Sequence, residues 1–212
     1  MGKNKKQYKK IGIMGGTFNP IHIGHLVTAQ EALSQFKLDI VIFIPTGDPP
    51  HKIDNDIASA EDRYIMAVIA TSSDSSFFVS RMEIDRKGKS FTIDTVRQLK
   101  EIYGRDSLLY FITGADAILE ILTWKDTSEI VSLCKFIAAT RPGYDLFRID
   151  DLRKRLFGSI KAAEKKIYVM EIPALSISST DIRDRIRNER PIDYLLPEGV
   201  NKYILKNELY KK

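Results

Sequence analysis

Two histidines near the N-terminus, His22 and His25, have the residue type and the spacing that chemistry would need. They close the segment 11–26, I-G-I-M-G-G-T-F-N-P-I-H-I-G-H-L. If they lie in the first turn of a helix, a spacing of three places them on one face. The free N–H groups and positive dipole end of a helix N-terminus suit a phosphate. The pair therefore predicts a site for a polyanion and for charge that develops on it.

The residues around the pair predict the elements that position it. Residues 11–14 form a short apolar strand, which ends at Gly15-Gly16, where the backbone can approach a ligand closely. Asn19-Pro20 indicates a turn. Apolar residues then recur at helical spacing, namely Leu26, Ala29, Ala32, Leu33 and Phe36.

Strands and helices alternate along the rest of the chain. Further strands are predicted at 39–45, 77–80, 108–113, 135–140 and 165–172. Helices are predicted at 59–72, 92–102, 117–122, 150–157, 181–187 and 197–205, the first of them with Tyr64, Ile65, Val68 and Ile69 on one face. This alternation predicts an α/β fold: a Rossmann-like, doubly wound, mainly parallel sheet with helices on both faces and a small helical C-terminal part.

Composition limits the other functions that the chain could have. Of 33 lysines and arginines, five lie among the first ten residues, and the remaining 28 equal the 28 acidic residues. The net charge of +5 therefore belongs to residues 1–8 and their immediate neighbours, which we predict to be a basic flexible tail ahead of a single domain at 9–212. A balanced body favours neither nucleic acid nor a membrane as a partner.

The single cysteine, Cys134, excludes an intrachain disulfide and a cysteine metal cluster, and its apolar neighbours predict burial. The sequence shows no signal peptide and no run of about 20 apolar residues that could span a membrane. A cytoplasmic protein is the expectation.

Four more motifs follow predicted strands or begin predicted helices. Ligands of open α/β sheets bind beyond the carboxyl ends of strands, so these segments should converge on the histidines. They are P-P-H-K with His51 and Lys52, S-F-T-I-D-T with Thr92, G-A-D with Gly114 and Asp116, and I-S-S-T-D-I-R with Ser178, Ser179, Thr180 and Arg183. Each also has a purely structural interpretation: a proline-rich surface loop for the first, and helix caps for Thr92, Asp116 and the serine cluster. Trp124, the only tryptophan, is either core or a stacking surface.

Together these motifs resemble the bacterial nicotinate-nucleotide adenylyltransferases, a family of the nucleotidyltransferase superfamily. The resemblance rests on G-G-T-F-N-P-I-H-I-G-H, P-P-H-K, S-F-T-I-D-T, G-A-D, Trp124, R-P-G and I-S-S-T-D-I-R, in the family's order and approximate spacing. The family most often has Asp after the Phe of the first motif, and this chain has Asn19, as a related branch does.

The resemblance implies transfer of the adenylyl group of ATP to nicotinate mononucleotide, giving nicotinate adenine dinucleotide and pyrophosphate, by direct in-line displacement at the α-phosphorus. It implies Mg²⁺ as the partner of the ATP phosphates and leaves a homodimer open. It assigns His22 and His25 to catalysis. It assigns the binding of ATP to these two histidines and to Gly15, Gly16, Thr17, Phe18, Gly114, Asp116, Ser178, Ser179, Thr180 and Arg183. It assigns the nicotinate nucleotide to Asn19, His51, Lys52, Thr92, Trp124 and Arg141, and no residue to a resident metal.

Four alternatives remain open at this point. A class I aminoacyl-tRNA synthetase shares H-I-G-H, but it would be longer and would carry K-M-S-K-S. The phosphopantetheine adenylyltransferase shares the first and last motifs, but it is not expected to combine them with P-P-H-K, G-A-D and the Trp124 segment. A dual-specificity enzyme would also accept nicotinamide mononucleotide. A non-enzymatic nucleotide sensor would be expected to have lost a paired histidine or the arginine of the last motif.

Overall fold

The structure is a computed structural model, and it describes residues 8–47, 57–173 and 176–211. In these residues strands and helices alternate. The strands are β1 (Lys10–Gly16), β2 (Ile40–Pro45), β3 (Phe77–Val79), β4 (Leu108–Gly114), β5 (Cys134–Thr140) and β6 (Ile167–Glu171). The helices are α1 (Ile23–Gln35), α2 (Ala60–Thr71), α3 (Thr92–Tyr103), α4 (Ala115–Ile118), α5 (Thr127–Leu133), α6 (Phe147–Phe157), α7 (Ile160–Ala163), α8 (Ser179–Arg187) and α9 (Glu198–Lys206), with a 3-10 turn at Leu119–Thr123.

The six strands form one sheet in the order β3-β2-β1-β4-β5-β6, and every neighbouring pair is parallel. Ile13 of β1 therefore lies between Ile42 of β2 and Phe111 of β4. The strand order reverses between β1 and β4. The connections that leave these two strands turn to opposite faces and leave a crevice between them. The predicted doubly wound sheet is confirmed, and the predicted His22 segment leaves the sheet at this crevice.

Two hydrophobic layers cover the sheet, one on each face. The first packs α1, α2, α8 and α9 on the sheet, and the second packs α3, α4, α5 and α6. All six residues of β2 are buried, as expected for a parallel strand that is covered on both faces.

Helix α2 does not use the face predicted from the sequence. Its buried residues are Arg63, Met66, Ala67, Ala70 and Thr71, whereas Val68 is 40% exposed. Ala67 and Ala70 are short enough for the helix to lie close to the sheet. The Arg63 side chain hydrogen-bonds to three backbone carbonyls. A prediction that counts only apolar residues cannot identify a helix face on which polar residues are buried.

Three local predictions were also imprecise. The helix predicted at 117–122 is α4 followed by the 3-10 turn, and α5 was not predicted. Thr92 does not cap α3, because the N-cap is Phe91 and Thr92 is the first helical residue. Asp116 is not the cap of α4 either, since Gly114 holds that position.

Cys134 is buried as predicted, and burial raises the pKa of its thiol to about 12, so it stays protonated. Tyr8, the last residue of the predicted tail, packs on Phe78 and Tyr103, with ring centroids 6.1 and 6.3 Å away. Within the described ranges, no helix combines the length and the apolar character that crossing a membrane requires.

Candidate active site

The histidine pair forms the first turn of α1, beside the end of β1. His22 is the N-cap residue and His25 is the third residue of the helix. The backbone N–H of His22 donates to Nδ1 of His25 at 3.2 Å. The two ring centroids lie 3.8 Å apart at an angle of 31° between the planes. The predicted helical turn thus brings both imidazoles together.

Both imidazoles are neutral at physiological pH. Burial lowers the pKa of His22 to about 4, and His22 is only 7% exposed. Burial and then the neighbouring His22 lower the pKa of His25 well below its usual value. Because Nδ1 of His25 accepts a hydrogen bond, its proton belongs on Nε2, which is then a donor. Nδ1 of His22 is buried and has no partner in the described structure.

Two neighbours hold the rings in place. The edge of Phe18 meets the His25 ring at a centroid distance of 5.1 Å, and Phe18 is 3% exposed. A Cβ added at Gly24 would lie 3.1 Å from Cε1 and Nδ1 of His22. The glycine of H-I-G-H therefore leaves room for the His22 ring above the helix.

Arg63 joins the connections that follow β1 and β2. Its guanidinium is 1% exposed and donates to Thr17 O at 2.8 Å, Gly47 O at 3.2 Å and Ala58 O at 3.1 Å. Burial lowers its pKa from the usual value. Charged donors give carbonyls stronger hydrogen bonds than neutral ones, so one side chain holds the two connections together.

Residues 17–20, which we call the β1 loop, are also held from the C-terminal part of the chain. Arg183 Nη1 donates to Asn19 O at 2.9 Å, and Ser179 Oγ donates to Pro20 O at 2.8 Å. Asn19 is 5% exposed, and its Oδ1 accepts from Ala58 N at 3.0 Å and from the Tyr210 hydroxyl at 2.9 Å. The loop that leads into the histidines is thus pinned by three distant elements.

A first cavity of about 620 Å³ opens over the carboxyl ends of β1, β4 and β5. His22 and His25 line one side, and Gly114, Asp116 and Arg141 line the other. The Tyr144 hydroxyl, also in its wall, donates to Asp116 Oδ1 at 3.2 Å, and Arg148 lies 3.8 Å from the same oxygen. Donors and a carboxylate beside apolar strand ends suit a polar, partly aromatic ligand such as a nucleotide.

A second cavity of about 520 Å³ lies on the other side of β1. Its wall contains the start of α3 with Ser90 and Thr92, and it also contains Trp124 and Lys125. Trp124 is half-buried and meets Phe111 edge-on at a centroid distance of 5.5 Å. Because Phe91 supplies no side-chain cap, the first N–H groups of α3 have no side-chain acceptor from it.

The two cavities meet along the carboxyl ends of β1 and β4. Both are lined by Gly15, Thr113 and Ala117. Gly15 has no side chain at this shared edge, where an added Cβ would lie 3.4 Å from the Phe111 ring. Two nucleotide-sized cavities joined at one edge can hold two mononucleotides with their phosphates close together.

The sequence-predicted residues do not all lie where their predicted ligand would place them. Gly114 and Asp116 line the first cavity, and Thr92 and Trp124 line the second. Gly16 and Thr17, predicted for ATP, line the second cavity, and Arg141, predicted for the nicotinate nucleotide, lines the first. Phe18 and Asn19 are buried within the β1 loop and line neither cavity. His51 and Lys52 fall outside the described residues.

The serine cluster begins α8. Ser178 is the N-cap, and its Oγ accepts from Asp181 N at 3.1 Å, so the predicted structural role of this residue is confirmed. Thr180 is exposed, and Arg183 is partly buried, with an Nε that has no partner in the described structure. Ile177, the residue before the cluster, lines the first cavity.

Sequence reasoning missed Arg63, Tyr144, Tyr210 and Glu83. Glu83 lines the second cavity and accepts from the Thr95 hydroxyl at 2.7 Å. Burial raises the pKa of its carboxyl, against the Thr95 hydrogen bond and the Arg86 charge. A Cβ at Gly47 would lie 2.2 Å from Glu83 O, so the glycine after β2 permits this close approach. Only that glycine gave a sequence signal. Among the described residues, no three His, Cys, Asp or Glu side chains are grouped so as to hold a metal ion.

The chain matches the family model described as cytidylyltransferase-like over residues 13–185. It is 54% identical over 206 residues to the probable nicotinate-nucleotide adenylyltransferase of Thermoanaerobacter sp. (strain X514), covering 96% of this chain and 95% of that protein. A protein of the same name from Moorella thermoacetica (strain ATCC 39073 / JCM 9320) is 54% identical over 202 residues, covering 95% and 92%. The Plasmodium falciparum nicotinic acid mononucleotide adenylyltransferase complexed with NaAD has the same fold, with a TM-score of 0.75 at 24% identity, over 95% of this chain and 97% of that one.

Proposed function

The chain belongs to the nicotinate-nucleotide adenylyltransferases, within the cytidylyltransferase-like family, and from this premise we propose the reaction and the roles of its residues. It transfers the adenylyl group of ATP to nicotinate mononucleotide and gives nicotinate adenine dinucleotide and pyrophosphate, a step of NAD biosynthesis. The observation that carries this reaction is the pair of cavities of about 620 and 520 Å³ that meet at Gly15, Thr113 and Ala117.

The reaction is a direct displacement. A phosphate oxygen of nicotinate mononucleotide forms a bond to the α-phosphorus of ATP, the bond from that phosphorus to the bridging oxygen breaks, and pyrophosphate leaves with its electrons. Such a transfer needs positioning and charge stabilisation more than covalent participation by the protein. The joined cavities would supply the positioning, with ATP in the first and the acceptor in the second.

The histidine pair would stabilise the charge that develops on the triphosphate. His25 offers an Nε2–H from a neutral ring, because its pKa is lowered and its Nδ1 already accepts from His22 N. A donor that is fixed before the reaction does not have to reorganise during it. His22 lines the same cavity, and burial lowers the pKa of its imidazole too.

The start of α8 would hold the outer phosphates. Arg183 uses one Nη group on Asn19 O, which leaves its other donors for a phosphate. Ser178 and Thr180 add hydroxyls at the N-terminus of a nine-residue helix, and Ser179, whose hydroxyl proton is used on Pro20 O, adds a backbone N–H there. Gly114 and Asp116 would contact the adenosine part of ATP in the first cavity. Arg141 lies on that cavity too, so we now assign it to ATP.

The second cavity would bind the nicotinate ring. The uncapped N–H groups at the start of α3, next to Thr92, match a carboxylate, and Lys125 adds positive charge to the same wall. Trp124 offers an aromatic surface to a positively charged pyridinium ring. Mg²⁺ would enter with ATP as part of the substrate and be held by its phosphates and by water.

The test is a pyrophosphate-release assay with ATP and a panel of acceptors: nicotinate mononucleotide, nicotinamide mononucleotide and phosphopantetheine. The proposal expects the highest kcat/KM with nicotinate mononucleotide and requires the dinucleotide as the second product. A highest value with phosphopantetheine would refute it. Equal values for the two mononucleotides would instead support the dual-specificity alternative. A homodimer and a cytoplasmic location stay predictions, and sedimentation velocity measures the first.

A further inference from the structure

The C-terminal turn after α9 returns to the β1 loop through one tyrosine. The hydroxyl of Tyr210 donates to Asn19 Oδ1 at 2.9 Å, across 191 positions of the chain. Burial raises the pKa of this phenol, against the nearby guanidiniums of Arg183 and Arg63, so it keeps its proton and acts as a donor. The same Asn19 oxygen accepts from Ala58 N. A single amide oxygen therefore ties the start of α2 and the C-terminus to the loop.

The β1 loop controls the position of His25. Its residues Thr17, Asn19 and Pro20 each have a carbonyl bound by a distant side chain, from Arg63, Arg183 and Ser179 respectively. Phe18, which lies between them, packs its edge on the His25 ring. A shift of Asn19 must therefore move Phe18 and, with it, the surface that supports His25.

We propose that Tyr210 is a positioning residue of the adenylyl transfer, which holds Asn19 and through it the β1 loop and the His25 ring. The proposal rests on the function proposed above. Neither Tyr210 nor Asn19 lines either cavity, so the effect is exerted through the loop and not by contact with substrate. It also gives Asn19 a role different from the nucleotide contact predicted from the sequence.

The expected effect follows from what the hydroxyl does. Loosening the loop displaces a donor from the reacting phosphate, which lowers the rate of the chemical step more than the affinity for substrates. The loss of one neutral hydrogen bond corresponds to about a three- to tenfold change. Tyr210→Phe should therefore lower kcat about three- to tenfold and leave both KM values within about twofold.

Tyr203→Phe is the matched control. Its hydroxyl donates to Asp62 Oδ1 at 2.8 Å, so it also ties the C-terminal part to α2, but it does not bond to the β1 loop. Both variants lose one partly buried hydroxyl hydrogen bond from the same part of the chain, and we expect similar falls in Tm. Only Tyr210→Phe should have a lower kcat than the wild type. If the wild-type enzyme forms the dinucleotide and the two variants have nearly equal kcat, the proposal is overturned.

Substitutions of Asn19, which accepts the Tyr210 hydrogen bond, give an independent test. Asn19→Asp keeps an oxygen that can accept both bonds and should retain most of kcat, whereas Asn19→Leu has a similar volume and no acceptor and should behave like Tyr210→Phe or worse. If Asn19→Leu instead raises KM for the nicotinate nucleotide with kcat unchanged, Asn19 contacts that substrate and the positioning role is refuted.

A truncation pair covers the case in which a variant does not fold. Removal of residues 211–212 leaves Tyr210 in place and should be neutral, and removal of 210–212 should reproduce the loss of kcat. Equal activity of the two truncated proteins contradicts the proposal. Inactivity of the wild-type enzyme with ATP and nicotinate mononucleotide would instead refute the proposed function, so the two failures are distinct.

Discussion

Acidification from pH 7 to pH 5 should destabilise this protein through His22. The folded state holds the His22 pKa at about 4, against a usual value of 6.5. The unfolded chain therefore binds a proton below pH 6.5 that the folded chain refuses until about pH 4. Because the unfolded state binds more protons in this window, the free energy of unfolding falls as the pH falls.

The magnitude follows from the shift. The displacement of ~2.5 pKa units corresponds to ~3 kcal/mol when the pH has fallen to the folded-state pKa. Between pH 7 and pH 5 the linkage relation gives a loss of about 2 kcal/mol for His22 alone. His25 adds to the loss with the same sign, since its pKa is also lowered by burial.

The assay compares urea unfolding of the wild type and of His22→Asn at both pH values. Asparagine is a favoured N-cap residue, so the variant keeps the start of α1 and removes only the titrating ring. All other titratable groups are the same in both proteins, so their contributions largely cancel in the comparison. The wild type should lose about 2 kcal/mol more than the variant on acidification. Equal losses in the two proteins would show that His22 is not desolvated in the folded state, and the reasoning would be wrong.

Further predictions concern catalysis, specificity, the core and the tail. His25→Ala should lower kcat by about 10²–10³ while changing ATP affinity far less, as judged by kcat and by direct ATP titration; a variant with most of its kcat would remove His25 from the mechanism. The kcat/KM with nicotinate mononucleotide should exceed that with nicotinamide mononucleotide by at least about tenfold, since a charge-assisted hydrogen bond contributes roughly 1.5–3 kcal/mol. Trp124→Ala should weaken both substrates alike, and a ratio near one in the wild type would defeat the assignment of the α3 N-terminus. Arg63→Met leaves three partly buried carbonyls without their Arg63 donors, at about 1 kcal/mol each, so urea unfolding should show a loss of ~3 kcal/mol; a loss under ~1 kcal/mol contradicts the role of Arg63 in joining the two connections. Deletion of residues 2–7 should leave Tm and turnover unchanged, whereas extending the deletion through Tyr8 should lower Tm, because the ring contacts of Tyr8 are then lost; a large effect of the shorter deletion would show that the tail docks on the body.

Local patterns were enough to predict the sheet and the start of α1. A strand that is buried on both faces is a continuous apolar run, as in β2. A helix that begins after glycines and a turn can likewise be predicted from consecutive residues. The histidine pair belongs to the same class of information. Its spacing of three and its place in the first turn depend on helix geometry alone, so the rings could be paired without any tertiary contact.

The weakest predictions concern positions whose role depends on a partner elsewhere. Residue type suggested a cap for Thr92, but the structure has Phe91 in that position. The ligand contact that the resemblance implied for Asn19 stays a prediction, and the structure adds hydrogen bonds to its side chain from Ala58 N and the Tyr210 hydroxyl that residue type did not indicate. The buried face of α2 was wrong because Arg63, a charged residue, occupies it. Such a residue is stable there only because three carbonyls from two connections meet its guanidinium.

Sequence by itself determined the order of the strands and of most helices, the parallel sheet and the identity of the paired imidazoles, because each depends on neighbours within a few residues. Tertiary structure alone decided which residues lie in each cavity, that the cavities join at Gly15, and that the β1 loop is held by Arg63, Arg183 and Tyr210. Those contacts join positions 46, 164 and 191 residues apart. No periodicity along the chain encodes them, since they exist only where the strand ends, the start of α2 and the C-terminus meet in the folded molecule.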